Sequence, residues 1–193
     1  MRSTPAILVL AAGASTRMRG ADKLCEEIDG VPMLLRVVQA ACSISSETIV
    51  ALPPASPRRA LLTDCPVRVV EVPERAMSAS IRAGVATCEG AALMIHLADM
   101  PEIGAAELGT LARAWCRTTG PTLRAASEDG IPGQPVVFDR TLFSALAMLT
   151  GDDGARSVLR KHPPTLVPLP GRRALVDLDT PEEWAAWRAA RMR

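Results

Sequence analysis

The apolar run Ile7-Leu8-Val9-Leu10 breaks off into small residues, Ala11 to Ser15. The cations Arg17, Arg19 and Lys23 follow, threaded by Gly13 and Gly20. A short apolar run bounded in this way reads as a buried strand. The loop that follows it lets backbone N–H groups approach an anion closely, because no bulky side chain stands between. Arg supplies countercharge as a planar fork and Lys as a mobile point charge. The junction therefore suits a phosphorylated ligand, best of all a nucleoside triphosphate; a buried strand followed by a flexible basic turn is the plainer reading. The spacing is not that of a P-loop, which needs Gly-x-x-x-x-Gly-Lys-Ser/Thr. Three residues separate Gly13 from Arg17, and Lys23 lies three after Gly20.

The rest of the chain keeps an alternating rhythm. Strands are expected at Ala6–Leu10, Thr48–Leu52, Val67–Val72, Ala91–Leu97, Thr122–Ala126, Pro135–Asp139 and Thr165–Leu169. Helices are expected over Met33–Cys42, Arg58–Thr63, Ser78–Cys88, Ala105–Arg117, Thr141–Thr150 and Ala155–Lys161, with a last one from Pro181. This alternation predicts a mostly parallel sheet covered on both faces. The late strands, close together around a Gly/Pro turn, predict an antiparallel portion. No repeat or low-complexity linker divides the 193 residues, so one α/β domain over 1–193 is expected.

Composition removes several classes of function. The net charge of +1, the absence of Tyr and the presence of only two Phe argue against a nucleic-acid partner. No apolar stretch approaches the ~20 residues needed to span a bilayer, so no membrane partner is expected. Arg2 before an apolar stretch is too little for a cleaved secretory signal. Five widely spaced cysteines without a Cys-x-x-Cys pair suit reduced thiols in a cytoplasmic protein. His96, inside the apolar run Leu93–Leu97, reads as a core residue and not as a catalyst.

In parallel sheets ligands settle beyond the carboxyl ends of the strands, so the residues just after each strand matter most. Ala98-Asp99-Met100-Pro101 places a carboxylate after an apolar strand, where it could aim an oxygen at a divalent metal; helix capping is the alternative. In Asp177-Leu178-Asp179-Thr180-Pro181-Glu182-Glu183, Thr180, Pro181 and Glu183 form a helix start and leave Asp179 outside it. Asp99 and Asp179 could together hold one Mg²⁺ against phosphate oxygens. Trp184 and Trp187 read as packing. Ala76–Ser80 opens a helix, where hydroxyls normally cap. Gly130–Pro135 suits a tight hairpin or a backbone platform under a second substrate, and Gly151-Asp152-Asp153-Gly154-Ala155-Arg156 suits a turn before a helix.

Taken together these motifs carry a resemblance. Leu10–Met18, Lys23, Ser78–Gly84, Ala98–Pro101, Gly130–Pro135, Gly151–Arg156 and Asp177–Glu182 make the chain resemble the molybdenum-cofactor nucleotidyltransferase family nearly end to end. The resemblance implies a single-domain Rossmann-like nucleotidyltransferase fold, a mostly parallel three-layer α/β/α sheet with an antiparallel portion. It implies an enzyme that transfers CMP from CTP to the phosphate of molybdopterin, with Mg²⁺ as cofactor and pyrophosphate as product. By the same resemblance Arg17, Lys23 and Asp99 are the catalytic residues. Leu10, Ala11, Ala12, Gly13, Arg17, Lys23, Ser80 and Asp99 bind nucleotide, Asp99 and Asp179 hold the metal, and Gly133, Gln134, Pro135 and Arg156 meet the acceptor. Its implied partners are CTP, molybdopterin or molybdenum cofactor, and a molybdenum hydroxylase or its maturation factor.

The chain departs from the family pattern at four places. Arg19 replaces a Gly after Met18, Ala76 and Ala98 each replace a Gly, and Gln134 stands where His is frequent. Two other functions fit the same motifs: an NTP transferase with a different acceptor, such as a sugar phosphate or a GTP-dependent pterin, and a non-catalytic carrier of molybdenum cofactor. Lys23, Asp99 and Asp179 favour catalysis, because a carrier has no need of a metal–triphosphate site. Within the family, the Ala11-Ala12-Gly13 version of the loop resembles that of CTP users, and Ala-Gly-Gly that of GTP users.

Overall fold

Apolar segments too short for helices and bounded by turn residues assemble the centre of one sheet. The computed structural model describes residues 2–152 and 154–191. The chain forms β1 (Ala6–Leu10), a ribbon of β2 (Glu27–Ile28) and β3 (Val31–Pro32), α1 (Met33–Ile44), β4 (Thr48–Leu52) and β5 (Arg68–Glu71). It continues through α2 (Met77–Thr87), β6 (Ala92–Leu97), α3 (Ala105–Arg117), β7 (Thr122–Ala126) and β8 (Pro132–Asp139). The last elements are α4 (Phe143–Ala147), α5 (Arg156–Lys161), β9 (Thr165–Pro168) and α6 (Pro181–Arg191).

Seven strands share a sheet in the order β5-β4-β1-β6-β8-β7-β9. All neighbours pair in parallel except at β8, which runs antiparallel to both β6 and β7. The three central strands β4, β1 and β6 are apolar on both faces, as strands covered by helices on either side must be. One face packs on α1, α3 and α6 through Leu34, Val38, Leu111 and Trp184. The other packs on α2, α4 and α5 through Ile81, Val85, Phe143 and Val158. Gly84 of α2 lets the helix lie directly on β1, because a Cβ there would fall 2.3 Å from Leu8 Cδ2. Among the described residues no helix is long and apolar enough to cross a membrane.

Some expected elements differ in detail. The segment expected as a helix over Arg58–Thr63 is a 3-10 helix, Pro57–Leu62. The helix expected over Thr141–Thr150 is a 3-10 turn, Arg140–Leu142, followed by the short α4. The strand expected from Pro135 starts at Pro132, and the β2–β3 ribbon was not anticipated. That ribbon turns at Asp29 and Gly30, which hold φ of 54° and 78°. Two consecutive positive φ values on an Asp-Gly pair match the tight hairpin turn that such pairs favour.

His96 faces the α1–α3 side of β6, opposite Val9 in β1. It is fully buried, and neither ring nitrogen has a hydrogen-bond partner. Burial pushes its pKa down to about 3, so the folded protein holds it neutral. An unfolded His titrates near ~6.5. The unfolded chain therefore binds the extra proton first, and stability is lost as pH falls from that value toward 3. Between pH 7 and pH 5 this one group should remove on the order of 2 kcal/mol. Urea unfolding of wild type and His96→Leu at both pH values measures it: the wild-type difference should largely vanish in the variant. Equal losses in both would show that His96 is not the source.

Candidate active site

The loop after β1 sits at the carboxyl edge of the sheet. Ala11 still belongs to the sheet, since its N–H donates to the Ala51 carbonyl at 3.0 Å and it is 1% exposed. Beyond it, the chain passes through a 3-10 turn, Thr16–Met18, flanked by two left-handed residues, Ser15 (φ 50°) and Arg19 (φ 52°). Met18 inserts into the core and anchors the turn. Lys23 then reaches back under the loop. Its ammonium lies 2.5 Å from Asp99 Oδ2 and 2.6 Å from Asp179 Oδ1. Arg17 stands over the same group, 2.7 Å from Asp179 Oδ2, with 67% of its side chain exposed.

Each carboxylate is placed by local structure. Asp99 follows β6, and its carbonyl accepts from the Leu178 N–H at 3.1 Å. It caps no helix, because α3 begins at Ala105, where Glu107 accepts from the Gly104 N–H. Asp179 immediately precedes the start of α6. There Glu183 accepts from the Thr180 N–H at 2.9 Å and the Asp179 N–H at 2.8 Å, while Thr180 Oγ1 accepts from Glu183 N–H. That reciprocal cap leaves the Asp179 carboxylate free to face Lys23.

The charges bear on one another. Burial alone would lower the Lys23 pKa, but the Asp99 and Asp179 carboxylates outweigh it and hold the ammonium above its ordinary value. Asp177 is pushed up by burial first, then by the like charges of Asp99 and Asp179. Asp99 Oδ1 is buried without a hydrogen-bond partner. Among the described residues no three His, Cys, Asp or Glu side chains gather around a single cation position.

Two adjoining clefts open here. The first, about 350 Å³, is bordered by Leu10, Ala12, Gly13 and Ser80, with Arg17, Lys23, Asp99 and Asp179 on its charged side. Of the residues expected to bind nucleotide, Ala11 alone stays outside, held in the core. The second cleft, about 500 Å³, is bordered by Gly133, Gln134 and Arg156 but not by Pro135. Leu10, Met77, Leu97, Asp152 and Asp177 border both. Asp153 lies outside the described residues.

Gly133, at the border of the second cleft, also leaves room for packing, since a Cβ there would fall 2.0 Å from the Ala174 carbonyl oxygen. One expected detail needs correction. The hydroxyls of Ser78 and Ser80 do not cap α2. Its N-terminal Met77 N–H donates to Asp152 Oδ1 at 3.1 Å and its Ser78 N–H to the Gly151 carbonyl at 3.2 Å. Three residues that had no expected site role matter here. Asp177 and Asp152 line both clefts. Arg124, on β7, borders the second; its Nε donates to the Gly133 carbonyl at 2.6 Å. Burial and then the nearby charge of Arg156 push the Arg124 pKa down, so two guanidiniums face one cleft. The position of Arg124 in an otherwise apolar strand was the available signal.

Comparison with known proteins agrees with this fold. Residues 7–166 match the MobA-like NTP transferase domain. A sequence comparison with curated proteins gives no match. The crystal structure of Rv0371c from Mycobacterium tuberculosis H37Rv is 25% identical, with a TM-score of 0.84 over 97% of this chain and 98% of that one. The same protein in complex with manganese aligns with a TM-score of 0.77 at 26% identity, over 95% and 97% of the two chains. CMP:2-keto-3-deoxy-manno-octonic acid synthetase complexed with CTP shares the fold, with a TM-score of 0.76 at 13% identity over 98% and 99%. With most of its length matched, the chain belongs to the MobA-like NTP transferase domain family and is a nucleotidyltransferase.

Proposed function

We propose that this enzyme transfers CMP from CTP to the phosphate of molybdopterin. One observation supports the reading most: two clefts, each presenting two cationic side chains, meet along one wall. The first joins a small-residue loop to a buried ammonium, which suits a triphosphate. The second presents Arg124 and Arg156, which suit an anionic acceptor. An acceptor phosphate held there lies beside the α-phosphorus of a nucleotide in the first cleft. Its oxygen attacks that phosphorus, a new P–O bond forms, and the bond to pyrophosphate breaks. An ionised phosphate needs no protein base, so alignment and charge neutralisation carry the reaction. Lys23 and Arg17 neutralise the triphosphate and the departing pyrophosphate.

The donor set fits a divalent cation. Asp99 and Asp179 present hard oxygens, and Asp99 Oδ1 has no other partner. Mg²⁺ is commonly held by one or two carboxylates completed by substrate phosphates, so a third protein ligand is not required. When bound, it would polarise the phosphoryl oxygens between the two aspartates. A related protein of the same fold binds manganese, which supports divalent-metal dependence here.

Ala12 supports CTP as the donor. Ala12 borders the first cleft, and a methyl-sized obstruction can discriminate a purine from a pyrimidine by ~1–3 kcal/mol. Pyrophosphate release measured with each NTP, with and without molybdopterin, tests the whole reading. CTP with molybdopterin should be the productive pair; equal rates with GTP would overturn the assignment of donor. Ala12→Gly should raise the GTP rate while retaining some CTP activity.

Asp99→Asn and Asp179→Asn should each lower turnover by two orders of magnitude or more, with far-UV circular dichroism unchanged. Near-normal rates at low Mg²⁺ would remove them from the metal site. Arg124→Gln and Arg156→Gln should raise KM for the acceptor about tenfold, the scale of one charge-assisted hydrogen bond. KM for CTP should stay within twofold. A sugar phosphate turned over in place of molybdopterin would keep the chemistry and change the acceptor.

A further inference from the structure

The loop that forms the first cleft has only the single 3-10 turn Thr16–Met18 of its own, and that turn is flanked by two left-handed residues that are not glycine. Its shape is held from elsewhere. Arg58, on the 3-10 helix Pro57–Leu62, is 5% exposed and sends its guanidinium beneath the loop. Nη1 donates to the Ala11 carbonyl at 2.5 Å, at the start of the loop. Nη2 donates to Ser15 Oγ at 3.3 Å, at its left-handed turn. Nε and Nη2 together grip the Asp22 carboxylate at 2.6 Å and 2.8 Å, at its end. Asp22 Oδ1 also accepts from Ser15 Oγ at 3.1 Å and from the Leu24 N–H at 3.0 Å. One buried cation thus touches the beginning, middle and end of the loop.

Resting on the nucleotide reading of the first cleft, we propose that Arg58 is a positioning residue for nucleotide binding: its grip on Ala11, Ser15 and Asp22 sets the loop and, through Asp22, aims Lys23. The side chain itself does not border either cleft, so it acts through the loop and not on the nucleotide. Lys23 follows Asp22 directly, and the Leu24 N–H on its other side is bound to the same carboxylate. The backbone of Lys23 is therefore fixed from both neighbours, and this fixes where its ammonium stands between Asp99 and Asp179. Burial raises the Asp22 pKa, but the hydrogen bonds from Arg58 and Leu24 outweigh it and keep the carboxylate ionised. The grip is accordingly a charge-assisted, two-point contact, which a Lys cannot reproduce.

The test is a comparison of nucleotide and acceptor constants. CTP binding by calorimetry and steady-state KM for CTP and acceptor are measured for wild type, Arg58→Gln, Arg58→Lys, Asp22→Asn and the Arg58→Gln/Asp22→Asn pair. Circular dichroism shows that each is folded at the assay temperature. Arg58→Gln should weaken CTP binding and raise KM for CTP tenfold or more, with acceptor KM within twofold. Arg58→Lys should fall between wild type and Arg58→Gln. The double variant should add less than twofold to the single ones, because the two groups act as a unit.

A purely structural role predicts a lower unfolding midpoint with unchanged CTP binding in the folded protein, and that result would overturn the proposal. If Arg58→Gln does not fold, Asp22→Asn decides: a fivefold or larger loss of CTP affinity supports the proposal, and an unchanged affinity overturns it. Wild-type protein that binds CTP while the variants bind it equally well refutes the inference alone. Wild-type protein that binds neither CTP nor GTP refutes the nucleotide reading and this inference with it.

Discussion

The site depends on one ammonium shared by two carboxylates that come from distant parts of the chain. Lys23 follows the first strand, Asp99 follows β6, and Asp179 precedes the last helix. All three side chains are mostly shielded from water, with exposures of 12%, 19% and 16%. Withdrawing a charge from water is costly unless a partner compensates. The Lys–Asp–Asp group meets that condition only if the β1 loop, the end of β6 and the entry to α6 arrive together. The ion cluster therefore reports whether the carboxyl edge of the sheet has assembled. The Leu178 N–H bond to the Asp99 carbonyl ties two of the same segments by backbone alone.

Position in the sheet explains why this edge and not the other carries the chemistry. In the parallel half, β4, β1 and β6 all end at the same edge, and the crossover helices leave a crevice beyond their ends. The antiparallel β8 begins at that edge, so Gly133 and Gln134 at its amino end come beside Leu97 at the carboxyl end of β6. A single reversed strand thus supplies the second cleft next to the first. The residues common to both clefts are the apolar Leu10, Leu97 and Met77 and the exposed carboxylates Asp152 and Asp177. Cations stand on either side of these carboxylates, Arg17 and Lys23 on the first cleft and Arg124 and Arg156 on the second.

The sheet was legible because it rests on local patterns. Thr48–Leu52, Ala105–Arg117 and Thr122–Ala126 have their expected bounds, since each is an uninterrupted apolar or amphipathic run closed by breakers. The Thr180–Glu183 cap was also legible, because a capping box lies within four consecutive residues. The β2–β3 ribbon was legible in principle from Asp29-Gly30 between Ile28 and Val31. Arg58 was not legible. Its partners lie 36 residues away at Asp22 and 47 away at Ala11, and nothing beside it in the sequence distinguishes it from the exposed Arg59. Pairing across such separations is a property of the topology.

That contrast separates two uses of charge in one small protein. Arg58 with Asp22 and Arg173 with Glu107 are closed pairs whose hydrogen bonds hold segments of the chain in place. Lys23 is different, because its two carboxylates form a set of hard oxygens able to accept another cation while its ammonium can turn to a phosphate. Arg17 is mostly exposed and can follow a ligand, unlike the buried guanidinium below it. The proposed transfer between two phosphorylated substrates has a use for both kinds. On that proposal the side-chain tips of Lys23 and Arg17 exchange partners during the reaction, while the loop that carries them is held by Arg58 and Asp22, which take no part in the exchange.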